Sequence, residues 1–146
     1  MKAYNPEMHT AEHVLNQTMV QLFGCNRSFS NHLERKKSKC DYHFDRALTS
    51  EEELTINTRV NEVLQQHIDV TEEVVSRADA SEEFDLNKLP DASGEEIRIV
   101  RVGDYDACPC IGEHVNNTRE VGEFILGSTS YDDGVLRIRF KLKRPQ

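Results

Sequence analysis

The stretch Tyr131-Asp132-Asp133-Gly134-Val135-Leu136-Arg137-Ile138-Arg139-Phe140-Lys141-Leu142-Lys143 decides the fold class. Asp-Gly supplies the positive φ angles that a tight hairpin turn requires. After the turn, Leu136, Ile138, Phe140 and Leu142 alternate with Arg137, Arg139, Lys141 and Lys143, which gives one apolar and one wholly basic strand face. The run from Glu120 to Ser130 supplies the partner strand. An antiparallel hairpin, and not a crossover βαβ unit, therefore organises this part of the chain.

Working back from the hairpin, Ile97, Ile99 and their valine neighbours mark a buried strand that ends at Gly103-Asp104, followed by a loop from Tyr105 to Glu113. Residues 77–93 are acidic, with Leu86 and Leu89 as apolar anchors of a short helix. Ile68 to Ser76 is β-branched and reads as a strand. Thr49 and Ser50, followed three residues later by Glu52 and Glu53, form overlapping capping boxes. The helix they start should reach about His67 and carry Leu54, Ile56, Val60, Val63 and Leu64 toward the core. Two strands, 27–33 and 40–45, flank a basic turn, and the alternation of Cys40, Tyr42 and Phe44 fits a half-buried strand.

The first helix should run from Pro6 to Phe23, with Asn5 as its N-cap and Gly24 as its stop. Met8, Ala11, Leu15, Thr18 and Leu22 make its buried stripe. Helices after hairpins, without regular βαβ alternation, give an α+β fold: a mainly antiparallel sheet with helices packed on one face. No internal repeat or linker divides residues 1–146, so one domain is expected.

Composition excludes several classes. Hydrophobic residues make up 37% and charged residues 30% of the chain, ordinary values for a globular protein. No run is long and apolar enough to span a bilayer and no leader pattern is visible, so no membrane partner and a cytoplasmic location are expected. A formal net charge of −8 argues against indiscriminate polyanion binding and against DNA as a partner. Base is nevertheless concentrated at Arg35, Lys36, Lys37 and Lys39, and again from Arg137 to Arg144. Such patches can hold a nucleic acid with strong salt dependence, although a solvated strand face is the plainer reading of the second. Four cysteines are too few for a disulfide scaffold, and Cys108-Pro109-Cys110 reads as metal ligation or chance.

His9 and His13 lie four residues apart, so their rings project from one helix face one turn apart. Cys110-Ile111-Gly112-Glu113-His114 places a thiol and an imidazole at the same spacing, a hundred residues downstream. One ion reached by His9, His13, Cys110 and His114 would have a borderline-soft N/S ligand set that suits Zn2+. Taken singly, Cys110 reads equally as a small buried residue and His114 as a loop histidine. Cys108 is a spare thiol, but Pro109 stiffens the tripeptide and should aim the two sulfurs apart.

The chain resembles the editing domain of alanyl-tRNA synthetase, and most closely its free-standing AlaX-type relatives; the threonyl enzyme's editing module shares the fold. The resemblance rests on His9-Thr10-Ala11-Glu12-His13-Val14-Leu15, Phe44-Asp45, Val60-Asn61-Glu62-Val63, Ile99-Val100-Arg101-Val102-Gly103-Asp104-Tyr105, Cys110-Ile111-Gly112-Glu113-His114-Val115-Asn116-Asn117-Thr118 and Val121-Gly122. It covers nearly the whole chain. It implies that His9, His13, Cys110 and His114 fall on zinc-binding positions. The implied activity is zinc-dependent hydrolysis, in trans, of the ester in Ser- or Gly-tRNA for alanine. Proofreading of this kind compensates for a pocket that rejects near-isosteres poorly. The chain departs from the family pattern at Ile111 and Glu113, where glycine and threonine are usual, and at Phe29-Ser30-Asn31-His32, where relatives often carry Gln before Gly-Ser.

Ester hydrolysis needs an aimed water and a stabilised oxyanion. An open coordination position is required if the ion takes part; His9, His13 and Cys110 are the expected firm ligands, with His114 fourth or just outside the ligand set. Glu113 could orient water as a general base or remain a solvated loop residue. Glu12 is expected to be a solvated helix position. Thr10, Asn117 and Thr118 could hydrogen-bond the amino acid or ribose, though packing accounts for them equally. For the tRNA acceptor end, Arg35, Lys36, Lys37, Arg137, Arg139 and Lys141 are the candidate contacts. The default assembly is a monomer. Two other readings stand: a catalytically lapsed editing fold whose structural zinc supports tRNA binding or interaction, and a hydrolase of another aminoacyl-tRNA or small aminoacyl ester.

Overall fold

Asp133 and Gly134 take φ values of 47° and 83° and join two long strands, β6 (Glu123–Asp132) and β7 (Val135–Lys143). Two successive positive φ angles match the right-handed twist of the flanking strands. The computed structural model describes residues 6–34, 36–76, 78, 96–110 and 113–143. The expected short helix within 77–93, the Asn5 cap, Arg35 and Ile111 lie outside the described residues.

The elements before that hairpin are α1 (Pro6–Phe23), β1 (Ser30–His32), β2 (Ser38–His43), α2 (Ser50–Leu64), β3 (Val70–Ser76), β4 (Glu96–Val102) and β5 (Asp106–Pro109). Among the described residues all strand pairings are antiparallel, and the strands form two sheets: β1-β2-β7-β6 and β3-β4-β5. The α+β class with antiparallel strands and packed helices is therefore the observed one. Helix α1 closes as its pattern requires: Gly24 takes φ 68° and donates its N–H to the Val20 carbonyl at 2.9 Å. Thr49 and Glu52 make the reciprocal capping box at the start of α2.

The main core joins both helices to the inner face of the four-stranded sheet. Cys40 and Tyr42 from β2 and Leu136, Ile138 and Phe140 from β7 meet Met8, Ala11 and Leu15 of α1 and Ile56, Val60 and Val63 of α2. Strand β4 is buried on both faces. Val100 and Val102 join this core, whereas Ile97 and Ile99 pack with Val75 and Ala107 in a second cluster. Helix α2 also covers the free edge of β6. Asn61 donates to the Phe124 carbonyl and accepts its N–H, both at 2.8 Å, and Asn57 accepts the Leu126 N–H at 2.9 Å. A strand edge left open would present those groups to other chains.

Several expectations need correction. Leu54 is 67% exposed. It precedes Ile56 by two residues, about 200° around the helix, and so faces away from the Ile56-Val60-Val63 stripe. The strand expected over 27–33 contracts to Ser30–His32, and β6 begins at Glu123 because Thr118–Glu120 forms a 3-10 turn. Within the expected loop from Tyr105 to Glu113, residues Asp106–Pro109 are strand β5, paired on the edge of β4. That strand shapes the site described next.

Candidate metal centre

Helix α1 is buried nearly all round, and one of its faces carries His9, Glu12, His13 and Asn16 at three- and four-residue steps. Facing it is β5 and the segment that follows. The register Val102↔Asp106, Arg101↔Ala107 and Val100↔Cys108 alternates the β5 side chains. Ala107 points to the Ile97-Ile99 cluster, while Asp106 reaches α1. Thr18 Oγ1 and the Tyr105 hydroxyl, 2.7 Å apart, fasten the same two elements.

Where α1 meets the chain after β5, His9, His13, Cys110 and His114 each offer one ligand atom, and these atoms all lie within 4.8 Å of one another. His9 Nε2 is 3.4 Å from Cys110 Sγ, and His13 Nε2 is 3.0 Å from His114 Nε2. In a tetrahedral zinc site the corresponding edges are about 3.5 Å for N···S and about 3.3 Å for N···N, from the usual bond lengths. Two imidazole Nε2 atoms in direct confrontation can share at most one proton, and a cation between them resolves the conflict. The donor set, three imidazoles and a thiolate, fits a borderline-soft divalent metal.

Electrostatics favour the thiolate of that donor set. Burial alone would raise the Cys110 thiol, but hydrogen bonds with His114, His13 and His9 and the charge on His13 outweigh it and lower its pKa to about 3. Burial likewise opposes charge on His13, yet Glu12, Asp106, Cys110 and Cys108 together raise its pKa well above the ordinary value. His114 is held low, by burial first and then by the charges of His13 and His9 against the support of Cys110.

The orientation of two of the imidazoles is fixed from behind. His13 Nδ1 lies 3.2 Å from Asp106 Oδ2, and His9 Nδ1 lies 3.3 Å from the Glu113 carbonyl oxygen. Each partner can accept a hydrogen bond from Nδ1–H and leave Nε2 as the ligating atom, the arrangement that fixes metal-bound imidazoles. Arg27 in turn donates to both Asp106 oxygens at 2.7 and 3.3 Å. Burial pushes the Asp106 carboxyl up, but His13 and Arg27 together hold it below the ordinary range. His114 has no such support: its Nδ1 is buried without a hydrogen-bond partner among the described residues.

A cavity of about 480 Å3 opens beside the cluster, between α1, residues 26–31 and β5. His9, His13 and Cys110 are in its wall, together with Glu12, Asn16 and Cys108. Glu12 is only 6% exposed, which corrects the expectation of a solvated helix position. Its carboxylate is retained inside because two neighbouring amides, Asn16 and Asn31, donate to it.

The other candidate residues are distributed as follows. Glu113 is exposed, and its backbone carbonyl is the atom that meets His9. Thr10 is fully buried; it donates to the Pro6 carbonyl and accepts the Val115 N–H, tying α1 to the His114 segment. Thr118 is fully buried between the Leu64 carbonyl and the Ile68 N–H, and Asn117 caps the 3-10 turn. Neither Thr10 nor Thr118 lines the cavity. Lys36, Lys37 and Lys141 are exposed. Arg137 forks onto Asp41 at 2.7 and 2.9 Å, and Arg139 reaches Ser128 and Ser130.

Asp106, Arg27 and the buried role of Glu12 are absent from the sequence reading. Asp106 had a local signal: Asp106, Cys108 and Cys110 alternate with Ala107 and Pro109. Arg27 had none, because its partner lies 79 residues away.

Residues 97–139, from β4 into β7, match the family described as the second additional domain of threonyl and alanyl tRNA synthetases. The chain is also similar to curated alanine–tRNA ligases. It is 33% identical over 132 residues to that of Fervidobacterium nodosum, covering 89% of this chain and 15% of that protein. To the Bacillus pumilus protein it is 32% identical over 123 residues, covering 84% of this chain and 14% of that one. To a Thermoanaerobacter sp. protein it is 30% identical over 132 residues, with 89% and 15% covered. The chain thus spans about 15% of the length of these curated relatives.

Proposed function

We propose that this chain, an alanyl-tRNA synthetase-related domain of the editing type, hydrolyses in trans the ester of tRNA for alanine mischarged with serine or glycine. One observation carries the reading: in a chain so related, two imidazoles from α1 and the Cys110-His114 pair converge on one point in the wall of a cavity large enough for an aminoacyl group.

His9, His13, Cys110 and His114 would hold the ion, which we take to be Zn2+. A bound zinc supplies Lewis acidity toward an ester carbonyl and lowers the pKa of water. The protein's own part is positional. Asp106 and the Glu113 carbonyl fix the His13 and His9 tautomers, and Arg27 keeps Asp106 ionised and aimed. His114, whose Nδ1 has no hydrogen-bond partner among the described residues, is the one best able to yield its place to water or substrate. Glu113, exposed and outside the cavity lining, is the candidate to orient water; Thr10 and Thr118 act, if at all, through the segments they tie together.

The acceptor end of the tRNA would lie along the outer face of β7 and the basic turn, on Lys36, Lys37, Arg139 and Lys141, with Arg35 and Arg137 contributing charge. We place the protein in the cytoplasm as a monomer. Among the described residues, no helix is long and apolar enough to cross a membrane.

The deciding experiment gives metal-analysed protein Ser-, Gly- and Ala-tRNA for alanine. Release of serine or glycine above the buffer rate, abolished by His9→Ala, is expected. No release above background would overturn the proposal.

A second reading is favoured by the convergence of all four side chains, which can close the coordination shell. In that case the domain is a lapsed editing fold whose metal is structural and whose basic face binds tRNA. Stoichiometric metal and loss of stability on chelation, without deacylation, would identify it.

A further inference from the structure

Glu12 is the one acid among the described cavity-lining residues. It stands on the same helix face as His9 and next to His13, yet it is not one of the clustered ligands. Its position is well determined. Asn16 Nδ2 donates to Oε2 at 2.6 Å, and Asn31 Nδ2 donates to Oε1 at 3.3 Å. Asn16 cannot be flipped, because its amide oxygen accepts from the Tyr42 hydroxyl at 2.7 Å and from the Ser28 N–H at 3.2 Å. The NH2 group is therefore obliged to face the carboxylate.

Two neutral amides occupy only part of the acceptor capacity of a carboxylate, which is about four hydrogen bonds. Neither neutralises its charge. The basic groups next to it among the described residues are already committed: Arg27 forks onto Asp106, and His13 turns Nδ1 to Asp106 and Nε2 to the ligand cluster. A buried, oriented anion that faces a cavity is suited to a cationic donor from a ligand.

We propose that Glu12 receives the free α-ammonium of the aminoacyl group, so that the cavity selects esters whose amine is unblocked. This rests on the deacylase reading and names its substrate class. In an aminoacyl ester the amine is two bonds from the carbonyl carbon. A group that grips the amine must therefore lie within a helical turn of the groups that act on the carbonyl, and Glu12 is three residues from His9 and one from His13. A peptidyl or N-acylated ester has no ammonium there and leaves the carboxylate with its two amide donors alone.

The test measures binding, not turnover. The probes are adenosines carrying serine through a 3′-amide, which cannot be hydrolysed as esters, one with a free amine and one N-acetylated. Calorimetry on the metal-loaded protein should show the free-amine probe bound about tenfold or more tightly, the worth of a charged hydrogen bond. Glu12→Gln, with its melting temperature checked, should bind the two probes alike. Equal binding by the unaltered protein, failure to bind the free-amine probe at millimolar concentration, or a preference that survives Glu12→Gln would each overturn the proposal. Equal binding of the two probes by the unaltered protein overturns the proposal even if the variant fails to fold. Serine release from Ser-tRNA is scored separately: preference without release defeats only the hydrolase reading, and release without preference defeats only the role of Glu12.

Discussion

Asp106 Oδ2 stands 3.2 Å from His13 Nδ1 while Arg27 holds both oxygens of the same carboxylate, so a buried acid on β5 sets the direction in which an imidazole on α1 faces. Asp106→Asn removes the charge and leaves the guanidinium unpaired. The expected result is a loss of about 10- to 100-fold in zinc affinity with the secondary structure retained. Competition against a chromophoric chelator measures the first and circular dichroism the second.

Removal of metal should destabilise the protein. A ligand present at a hundred times its dissociation constant stabilises the folded state by about 2.7 kcal/mol. EDTA is therefore expected to lower the melting temperature of the unaltered protein and to leave that of His13→Ala unchanged. A melting curve indifferent to EDTA would show that no stabilising ion resides there.

Asn61 is expected to matter for stability alone. Its side chain supplies both a donor and an acceptor to the Phe124 backbone. Asn61→Ala leaves both backbone groups without those partners at a half-buried edge, at a cost of about 1–3 kcal/mol. Urea unfolding reads the loss, and zinc stoichiometry should not change.

The acid limb of stability should contain Glu52. Arg46 foremost, and then the Thr49 N–H, lower its pKa from 4.5 to about 2. A carboxyl with a depressed folded pKa contributes stability that is complete above its unfolded value and disappears as pH falls toward the folded one. The unaltered protein should melt above Glu52→Gln at neutral pH, and the gap should close between pH 4.5 and about 2. A gap independent of pH would remove Glu52 from the acid response.

Reversing charge on the outer face of β7 tests the nucleic-acid surface. Lys141→Glu with Arg139→Glu should weaken tRNA binding and flatten its salt dependence, because fewer counterions are released. Arg137→Glu is a poor probe, since it would also break the ion pair with Asp41.

Where sequence reading succeeded, periodicity spoke for itself. The alternation from Leu136 to Leu142, the stripe from Met8 to Leu15 and the capping box at Thr49 each became the element they indicated. Residues at matched spacing, His9 with His13 and Cys110 with His114, were visible as two pairs; their meeting is a property of the folded chain. Misreadings arose where tertiary pairing overrode local preference. Pro109, Ala107 and Asp106 are poor strand formers, yet the free edge of β4 recruits them into β5. Glu12 looks like any surface helix glutamate until Asn16 and Asn31 are seen to hold it. Leu54 shows the opposite error, an apolar residue credited to a core that the helix turns away from.

His9 and Cys110 meet across 101 positions of chain. An ion gripped at that junction would close most of the polypeptide into a ring, and rings of this size lose much of the freedom an open chain gains on unravelling. Strands outside the ring, β6 and β7 among them, could then fray and re-form while the junction persists. The last part of the molecule to come undone would be the place where its two distant stretches are joined.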